Sequence, residues 1–435
     1  MSELIPDGWN NIAIDDFIER VIDNRGKTPP LSDTGYGLIE IGALSESGRF
    51  PDYSRIRKRV DANTFDTWFR AGHPKKGDIL IPTVGTIGIC CILDKTLGSI
   101  AQNLIALRVK PENNPVYAYY ILSSYWTTKQ IEMIVMNAVQ PSLRVPQFLE
   151  LKALQPPLPE QQKIAAILSS VDEVIEKTQA QINKLKDLKT GMMQELLSPR
   201  EGQVANINNP QGESKNGLHH TEFKDSPLGR IPVDWEALPL NAVCRIQGGY
   251  AFQSKDSTEN GCRWLKIANV GKGEVKWDTN SFLPNNFKAL HDAFMLSAGD
   301  IVVALTRPVL SGELKTAKLT SQDVPALLNQ RVARAIPNTE KVTNDFLYNL
   351  FSWKKLAEDI ETTIFGTDPP NVSTTQIGSF VFPVPPISQQ IKISQSINSV
   401  IAREQLILTK YNALQHLKKA LMQDLLTGKV RVKVD

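Results

Sequence analysis

The sequence predicts an α+β protein in which two similar mixed α/β domains are joined by two long helices that pair as an antiparallel coiled coil. Two observations support this prediction. The second half of the chain repeats the motifs of the first half in the same order, at an offset of about 226–229 residues. Each half also closes with a proline-bounded amphipathic helix, at residues 160–197 and 388–426. A repeat at a fixed period decides the architecture before any single residue is interpreted.

The repeat consists of six matched positions. A single match such as a Gly-Asp turn arises by chance, but six matches in one order indicate an internal duplication. The matched pairs are Trp9 with Trp235, residues 39–41 with 265–267, 76–81 with 298–303, 102–104 with 328–330, 139–143 with 367–371, and 157–162 with 385–390.

The two closing helices carry the pattern of a coiled coil. Steps of four and three residues along each helix meet mostly apolar residues over about four heptads, and this period of ~3.5 residues is typical of paired helices. Both registers place a lysine at the same step, Lys189 and Lys418, where a polar residue can fix the register of the pair. We expect the two helices to pair with each other. The alternative is that each helix packs only on its own domain.

The repeat and the punctuation of the chain define five segments. Apolar, β-branched runs bounded by turn residues predict strands in each domain, followed by one helix at about 115–136 in the first half and 343–361 in the second. The predicted segments are a first domain at 1–155, a first coiled-coil helix at 156–198, a polar linker at 199–228, a second domain at 229–384, and a second helix with a tail at 385–435.

Composition favours a cytoplasmic protein with reduced cysteines, no structural metal and no cofactor of its own. The chain has 435 residues and 41% apolar content, which suits two or three globular domains. No apolar run reaches the ~20 residues that span a bilayer, and the first residues lack the pattern of a signal peptide. The four cysteines and five histidines show no metal-site spacing. A net charge of +3 is weak support for nucleic-acid binding.

Two stretches resemble catalytic motifs but lack necessary residues. Residues 368–371 look like the Asp-Pro-Pro-aromatic loop of amino-methyltransferases, yet Asn371 cannot stack on a base. Asp300, Glu313 and Lys315 have the residue types of a metal-dependent nuclease, but the first half has no matching glutamate. The sequence therefore predicts no catalytic site.

One resemblance to a known family covers essentially the whole chain. Residues 157–164, PLPEQQKI, resemble the start of the conserved helix in specificity (S) subunits of type I restriction-modification enzymes. The repeat departs from that pattern by having Ser388 where the glutamate is expected, while keeping Gln389 and Gln390. Residues 223–235 look like the family's entry into a second recognition domain.

The resemblance implies a subunit without its own catalysis. Its two target recognition domains would each read one half of a split site in double-stranded DNA, and its helices would set the spacing. Two modification subunits would supply S-adenosylmethionine and adenine methylation, and restriction subunits would supply ATP-driven translocation and cleavage, with no role for a membrane. The alternatives are a stand-alone DNA-binding scaffold and a fused adenine methyltransferase.

Candidate DNA-facing residues lie in turns at matched places of the two halves, 24–27 with 247–250 and 83–86 with 306–308. Glycine permits close backbone approach, and Arg, Lys and Gln commonly read base edges. Ordinary solvent-exposed turns are the alternative. The DNA-binding candidates are Arg25, Lys27, Thr83, Thr86, Gln247, Tyr250, Lys255 and Arg307. The candidates for binding partner subunits, at the two helix starts, are Glu160, Gln161, Gln162, Gln389 and Gln390.

Overall fold

The computed structural model describes residues 5–44, 48–85, 88–135, 142–198, 220, 222–277, 281–366 and 368–434. The chain divides into two units, the first comprising Met1–Ile182 with Ile407–Asp435 and the second comprising Asn183–Leu406. The predicted five segments differ from this division, because each long helix contributes residues to both units.

The first unit contains a four-stranded antiparallel sheet in the order β2-β8-β5-β6, a three-stranded sheet in the order β4-β3-β7, and the pair β1-β9. Its elements are β1 (Asn10–Ala13), α1 (Ile14–Phe17), β2 (Ile18–Asp23), β3 (Tyr36–Ile39), β4 (Arg59–Val60), α2 (Ala62–Trp68), β5 (Ile79–Pro82), β6 (Cys91–Ile92), β7 (Ser99–Ile100), β8 (Leu104–Val109), α3 (Pro115–Leu122), α4 (Tyr125–Val135), α5 (Val145–Leu149), β9 (Lys152–Gln155) and the start of α6 (Leu158–Leu197).

The second unit repeats this plan with the sheets β13-β22-β17-β20 and β15-β14-β21-β16 and the pair β12-β23, and it adds two hairpins, β10-β11 and β18-β19. Its elements are β10 (Phe223–Ser226), β11 (Gly229–Pro232), β12 (Glu236–Pro239), α7 (Leu240–Val243), β13 (Cys244–Gly248), β14 (Cys262–Leu265), β15 (Phe282–Leu283), α8 (Phe287–Leu290), β16 (Met295–Leu296), β17 (Ile301–Ala304), β18 (Val309–Leu310), β19 (Glu313–Leu314), β20 (Thr316–Lys318), β21 (Ala326–Leu328), β22 (Val332–Pro337), α9 (Asn344–Phe351), α10 (Lys354–Ile364), α11 (Thr374–Ser379), β23 (Val381–Val384) and the start of α12 (Ile387–Leu426).

The inner strands β5 and β17, of the sheets β2-β8-β5-β6 and β13-β22-β17-β20, are buried on both faces. Ile79 and Ile81 on β5 pack into the core that holds α3, whereas Leu80 packs into a second core with Ile39 of the smaller sheet. The strand β17 divides its side chains between two cores in the same way. Because both faces are covered, these strands are continuous apolar runs instead of alternating patterns.

Two sequence predictions differ from the structure. The single helix predicted after the strands is two helices in each unit, α3 with α4 and α9 with α10. In the first unit the break falls at Ser124, whose Oγ accepts a hydrogen bond from the backbone N–H of Thr127 and so begins a new helix. The strand β10 lies inside the predicted linker, where it pairs with β11.

In the first unit the two long helices run antiparallel. Lys418 Nζ of α12 lies 2.7 Å from Asp172 Oδ1 of α6. Further toward the start of α6, Glu160 Oε1 lies 2.5 Å from Nη2 of Arg431, which follows the end of α12. A residue nearer the start of α6 therefore contacts a residue with a higher number in the C-terminal segment. The predicted antiparallel pairing is therefore confirmed here.

The second unit shows the same pairing with the ends exchanged. Lys189 Nζ of α6 lies 3.9 Å from Glu404 Oε2 of α12. Leu196, close to the end of α6, shares a buried core with Ile393 and Ile397, close to the start of α12. Both lysines of the matched heptad position thus form ion pairs across the helix pair. The alternative that each helix packs only on its own domain is wrong.

Candidate nucleic-acid interface

In the first unit, polar and charged residues surround the chain where β5 ends. The loop after β5 is held to the loop before β8, because the Thr83 N–H donates to the Asn103 carbonyl at 2.9 Å. It is held to the segment before α5 by the Leu143 N–H, which donates to the Thr83 carbonyl at 2.7 Å. These loops enclose an open cavity of about 350 Å³. Its polar lining includes Arg25, Thr83, Gln102, Asn103 and Arg144, and we call these residues the first edge.

Arg25 is fixed in direction by an ion pair with Asp23. The Arg25 Nε and Nη2 atoms donate to the two Asp23 carboxylate oxygens at 2.8 and 2.6 Å. Burial acts to raise the pKa of Asp23, but the hydrogen bonds from Arg25 outweigh it and hold that pKa below its ordinary value. The same pairing raises the pKa of Arg25. The guanidinium is therefore held charged and oriented at the cavity, which suits recognition of a planar acceptor.

The other candidates of the first half have different surroundings. Thr83 is 2% exposed, and its hydroxyl donates to the Asn103 carbonyl at 3.3 Å. The structure thus gives Thr83 the role of positioning Asn103, in place of the direct base contact predicted from the sequence. Lys27 is exposed in the loop after β2. Thr86 lies outside the described residues.

The second unit builds the same edge from other residues. The Leu305 N–H donates to the Arg331 carbonyl, and the Val372 N–H donates to the Leu305 carbonyl, each at 2.9 Å. These bonds match those of Thr83, so Arg331 occupies the position of Asn103. The sequence match of residues 102–104 with 328–330 is therefore wrong by two residues, because the loops between the motifs differ in length.

A second match made from the sequence is also shifted. Ile22 pairs with Ala106 in the first unit, and Gln247 pairs with Arg334 at the matching place in the second. Gln247 therefore matches Ile22, two residues before the loop residue Asn24 predicted to match it. Its side chain lies within the unit, accepting from Arg334 Nη2 at 2.7 Å and donating to the Ala293 carbonyl at 2.8 Å. Both the oxygen and the nitrogen of the Gln247 amide, which the sequence predicted to contact DNA, thus have partners within the unit.

Tyr250 stands at the matching place of Arg25. Its ring is 41% exposed and is centred 4.3 Å from the His291 ring, while its carbonyl accepts from the Gln330 N–H at 2.9 Å. The preceding Gly249 is required, because a Cβ there would lie 2.1 Å from the Asn329 carbonyl oxygen. Lys255 is exposed in a single 3-10 turn further along the same loop.

Arg307 lies at the rim of a second cavity, of about 890 Å³. It has a left-handed backbone with φ of 46°, and its N–H donates to the Pro370 carbonyl at 2.7 Å. Lys315 also lines this cavity, and burial lowers its pKa. We call Tyr250, Arg307, Gln330 and Arg331 the second edge.

Gln330 and Arg331, like Gln102 and Asn103, were absent from the sequence-based candidates. Asn103, Gln330 and Arg331 are exposed, and Gln102 is half-buried. The signal that could have found them is the polar pair directly before a buried strand in each half.

The candidates for partner binding hold the long helices to their own units. Gln161 is 1% exposed. Its Oε1 accepts from the N–H of Asn114 at 2.9 Å, and its Nε2 donates to Asn113 Oδ1 and to the Pro156 carbonyl. Asn114 is the residue that caps α3, so one buried amide joins the start of α6 to the start of α3.

Gln390 makes the same contacts in the second unit. It is fully buried, and its Oε1 accepts at 2.8 Å from the N–H of Thr343, the residue that caps α9. Its Nε2 donates to the carbonyls of Lys341 and Pro385, both at 2.8 Å. Gln161 and Gln390 can therefore influence a partner only through the position of the helix that they hold.

The residues just before these glutamines also match. The Trp9 Nε1 donates to Glu160 at 3.2 Å, and the Trp235 Nε1 donates to Gln389 at 2.7 Å. Gln389, and not Ser388, thus replaces the glutamate in the repeat, which corrects the register read from the sequence. Gln162 is exposed and keeps a surface that a partner can reach.

The two carboxylates that suggested nuclease chemistry lie in separate ion pairs, and the Lys315 Nζ donates to the Ile267 carbonyl at 3.1 Å. Asp300 Oδ2 accepts from Arg334 Nη1 at 3.1 Å, and Glu313 lies 3.1 Å from Lys272. Within the described ranges, no group of three His, Cys, Asp or Glu side chains is placed to hold a metal ion. None of the described helices is both long enough and apolar enough to cross a membrane.

The chain is similar in sequence to known specificity subunits. The chain is 29% identical over 438 residues to the specificity subunit of the type I restriction enzyme MjaVIII from Methanocaldococcus jannaschii, which covers 99% of this chain and 94% of that protein. It is 32% identical over 173 residues to the specificity subunit of the type I restriction enzyme EcoAI from Escherichia coli, which covers 39% of this chain and 29% of that protein.

Solved structures show the same fold at lower identity. The S subunit of the type I restriction-modification system from M. genitalium has a TM-score of 0.61 at 16% identity, over 98% of this chain and 97% of that chain. A chain from a structure concerned with complex assembly and conformational transition of the type I R-M system has a TM-score of 0.52 at 14% identity, over 98% of this chain and all of that one.

The family model described as the type I restriction modification DNA specificity domain matches residues 6–187 and again residues 232–417. Together the two matches cover most of the chain, and they coincide with the two halves of the internal repeat. This protein therefore belongs to the family of type I restriction modification DNA specificity proteins and carries two copies of the domain.

Proposed function

We propose that this chain is the DNA-recognition subunit of a type I restriction-modification complex and that each unit reads one half of a bipartite site in double-stranded DNA. The observation that carries the proposal is the pair of matched edges. Both are built by the same backbone hydrogen bonds at the end of a central strand, yet Asn103 stands in the first where Arg331 stands in the second. A shared scaffold with different side chains suits the reading of two different half-sites.

The chain would contribute recognition, while its partners contribute chemistry. Two modification subunits would bring S-adenosylmethionine and methylate adenine, and restriction subunits would bring ATP-driven translocation and cleavage. Their substrate is cellular DNA, so we place the complex in the cytoplasm. The modest net charge of +3 fits a subunit that reads base edges while other subunits hold much of the phosphate backbone.

The helix pair would set the spacing between half-sites and dock the modification subunits. It presents large apolar side chains to solvent, a feature that marks protein interaction sites when the side chains are grouped. Leu406, which is 69% exposed, lies in the second unit with Leu188 and Ile391, and the exposed members in the first unit are Val174, Leu408 and Leu417. The exposed Gln162 adds a polar contact at one helix start. These positions, more than the buried glutamines, are the surface that we assign to docking.

Exchange of the second domain tests the proposal. Replacing residues 229–384 with the same domain of another specificity subunit should change one half of the methylated motif and leave the other half intact, because each edge is built within one unit. The motif is measured by sequencing native DNA from cells that carry the chain together with its modification subunits. Transplanting the first domain instead is the matched control, and it should change the opposite half. A change in both halves after one exchange would contradict the proposal.

Arg25→Ala should weaken binding to the cognate site by roughly 10- to 100-fold, because an oriented guanidinium that reads a base contributes on the order of 1–3 kcal/mol. The reduction should be specific to the first half-site and should relax its sequence preference. Affinity of the assembled complex is measured by fluorescence anisotropy at fixed salt, with the cognate duplex and with duplexes altered in either half.

Arg57→Ala is the matched control for charge, since Arg57 is an exposed arginine of the same unit outside the first edge. This substitution should weaken binding to the cognate duplex and to the altered duplexes by the same small factor. Equal behaviour of Arg25→Ala and Arg57→Ala would show that Arg25 reads no base.

A further inference from the structure

Phe365 is an aromatic side chain that the fold presents almost entirely to solvent. It is 91% exposed and directly follows the last residue of α10. The next residue, Gly366, has a left-handed backbone with a φ of 82°. Removing a phenylalanine ring from water is favourable, so a ring held outside in a turn can contribute binding free energy to a surface that covers it.

The loop that carries Phe365 is tied to the second edge. Arg307 and Val372 donate their N–H groups to the carbonyls of Pro370 and Leu305, at 2.7 and 2.9 Å. These two bonds fasten the chain after Phe365 to the end of β17. The ring therefore stands on the same side of the unit as the residues that we assign to reading the second half-site.

The surroundings of the ring combine apolar surface with positive charge. Phe365 lines the second cavity together with Leu310, which is 54% exposed, and with Arg307, Lys315 and Glu361. The Lys315 Nζ donates to the Ile267 carbonyl at 3.1 Å, so Arg307 is the exposed cation of this lining. An exposed ring and an exposed cation on the side of the unit that we assign to DNA match a duplex, in which stacked bases lie between two rows of phosphates.

We propose that Phe365 is a wedge that inserts between adjacent base pairs at the half-site read by the second unit, while Arg307 contacts a flanking phosphate. This inference rests on the proposed function. Insertion of an apolar side chain partly unstacks one base step and bends the duplex. Pyrimidine–purine steps unstack most easily, so the wedge would select such a step without a hydrogen bond to either base.

The test uses the full chain assembled with its modification subunits and duplexes that carry its methylated motif. 2-Aminopurine replaces one base at a time across the second half-site, and its fluorescence rises where stacking is lost. The wild-type complex should give a rise at one step. Phe365→Ala should abolish that rise and weaken binding by about tenfold or more. Phe365→Trp should preserve both. Because the ring is exposed, neither variant should disturb folding.

Two control variants separate the wedge from general loss of apolar surface. Leu290→Ala removes another exposed apolar side chain of the second unit, 66% exposed and outside the second cavity, and Tyr125→Ala removes an aromatic residue, 69% exposed, from the first unit. Both should keep the fluorescence rise.

Each remaining outcome has a distinct meaning. Sequence-specific binding by the wild-type complex without a fluorescence rise at any step would overturn the wedge and leave the proposed function standing. If Phe365→Ala kept the fluorescence rise and the DNA affinity but no longer bound a modification subunit, the wedge proposal would be overturned in favour of protein docking. Absence of sequence-specific DNA binding by the wild-type complex would contradict the proposed function itself.

Discussion

Replacing Lys418 with alanine is expected to destabilise the first unit by roughly 3–5 kcal/mol, the usual cost of removing one partner from a buried ion pair. The Asp172 side chain is only 6% exposed, and Lys418 Nζ lies 2.7 Å from it. The Tyr120 hydroxyl donates to the other carboxylate oxygen, also at 2.7 Å. Without the lysine, the buried Asp172 carboxylate keeps only the neutral Tyr120 hydroxyl as a donor and is still shielded from solvent. Chemical denaturation measures the loss, and hydrogen exchange shows whether the loss of protection is confined to the first unit.

The duplication supplies a matched control for this experiment. Lys189 holds the same heptad position in the second unit, but its distance to Glu404 is 3.9 Å and its side chain is 36% exposed. Lys189→Ala should therefore cost no more than about 1 kcal/mol, as is usual for exposed ion pairs. Equal losses for the two variants would show that the burial of Asp172 does not matter.

Gln161→Ala and Gln390→Ala are each expected to destabilise their own unit by roughly 3 kcal/mol. Each substitution leaves a backbone N–H at a helix cap and at least one carbonyl without the partner that it now has. A buried polar group left without a partner costs about 1–3 kcal/mol. The two losses should be similar, because the contacts are duplicated, and they should add in the double variant, because the sites share no partner.

Gln162→Ala is the control for this pair, since it removes the same chemical group from the neighbouring exposed position. Its effect should stay within about 0.5 kcal/mol, as is typical of surface substitutions. The free energy of unfolding is measured for all four variants under identical conditions. A large loss for Gln162→Ala, or none for Gln161→Ala, would contradict the anchoring role that we assign to the buried amides.

The sequence by itself determined the architecture and the family of this protein. Duplication is visible wherever short motifs recur in the same order, as Trp9 and Trp235 do, and it survives small changes in loop length. Helix pairing is visible because each heptad requires apolar residues at the same two positions. Over about four heptads, single exceptions such as Lys189 and Lys418 do not obscure this pattern. These features are periodic or repeated, and a local pattern is enough to show them.

Only the tertiary structure decided which residues stand at matching places and which side chains face solvent. In the structure, Gln330 occupies the position that matches Gln102, and Gln389 occupies the position that matches Glu160. The loops between the motifs differ in length, so these matches could not be read from a fixed offset. Thr83 sits in a loop that reads as exposed, yet it is 2% exposed. Glu160 pairs with Arg431 across 271 residues of sequence. Burial and hydrogen-bond partners are set by contacts between segments far apart in the chain, and a local pattern carries no information about them.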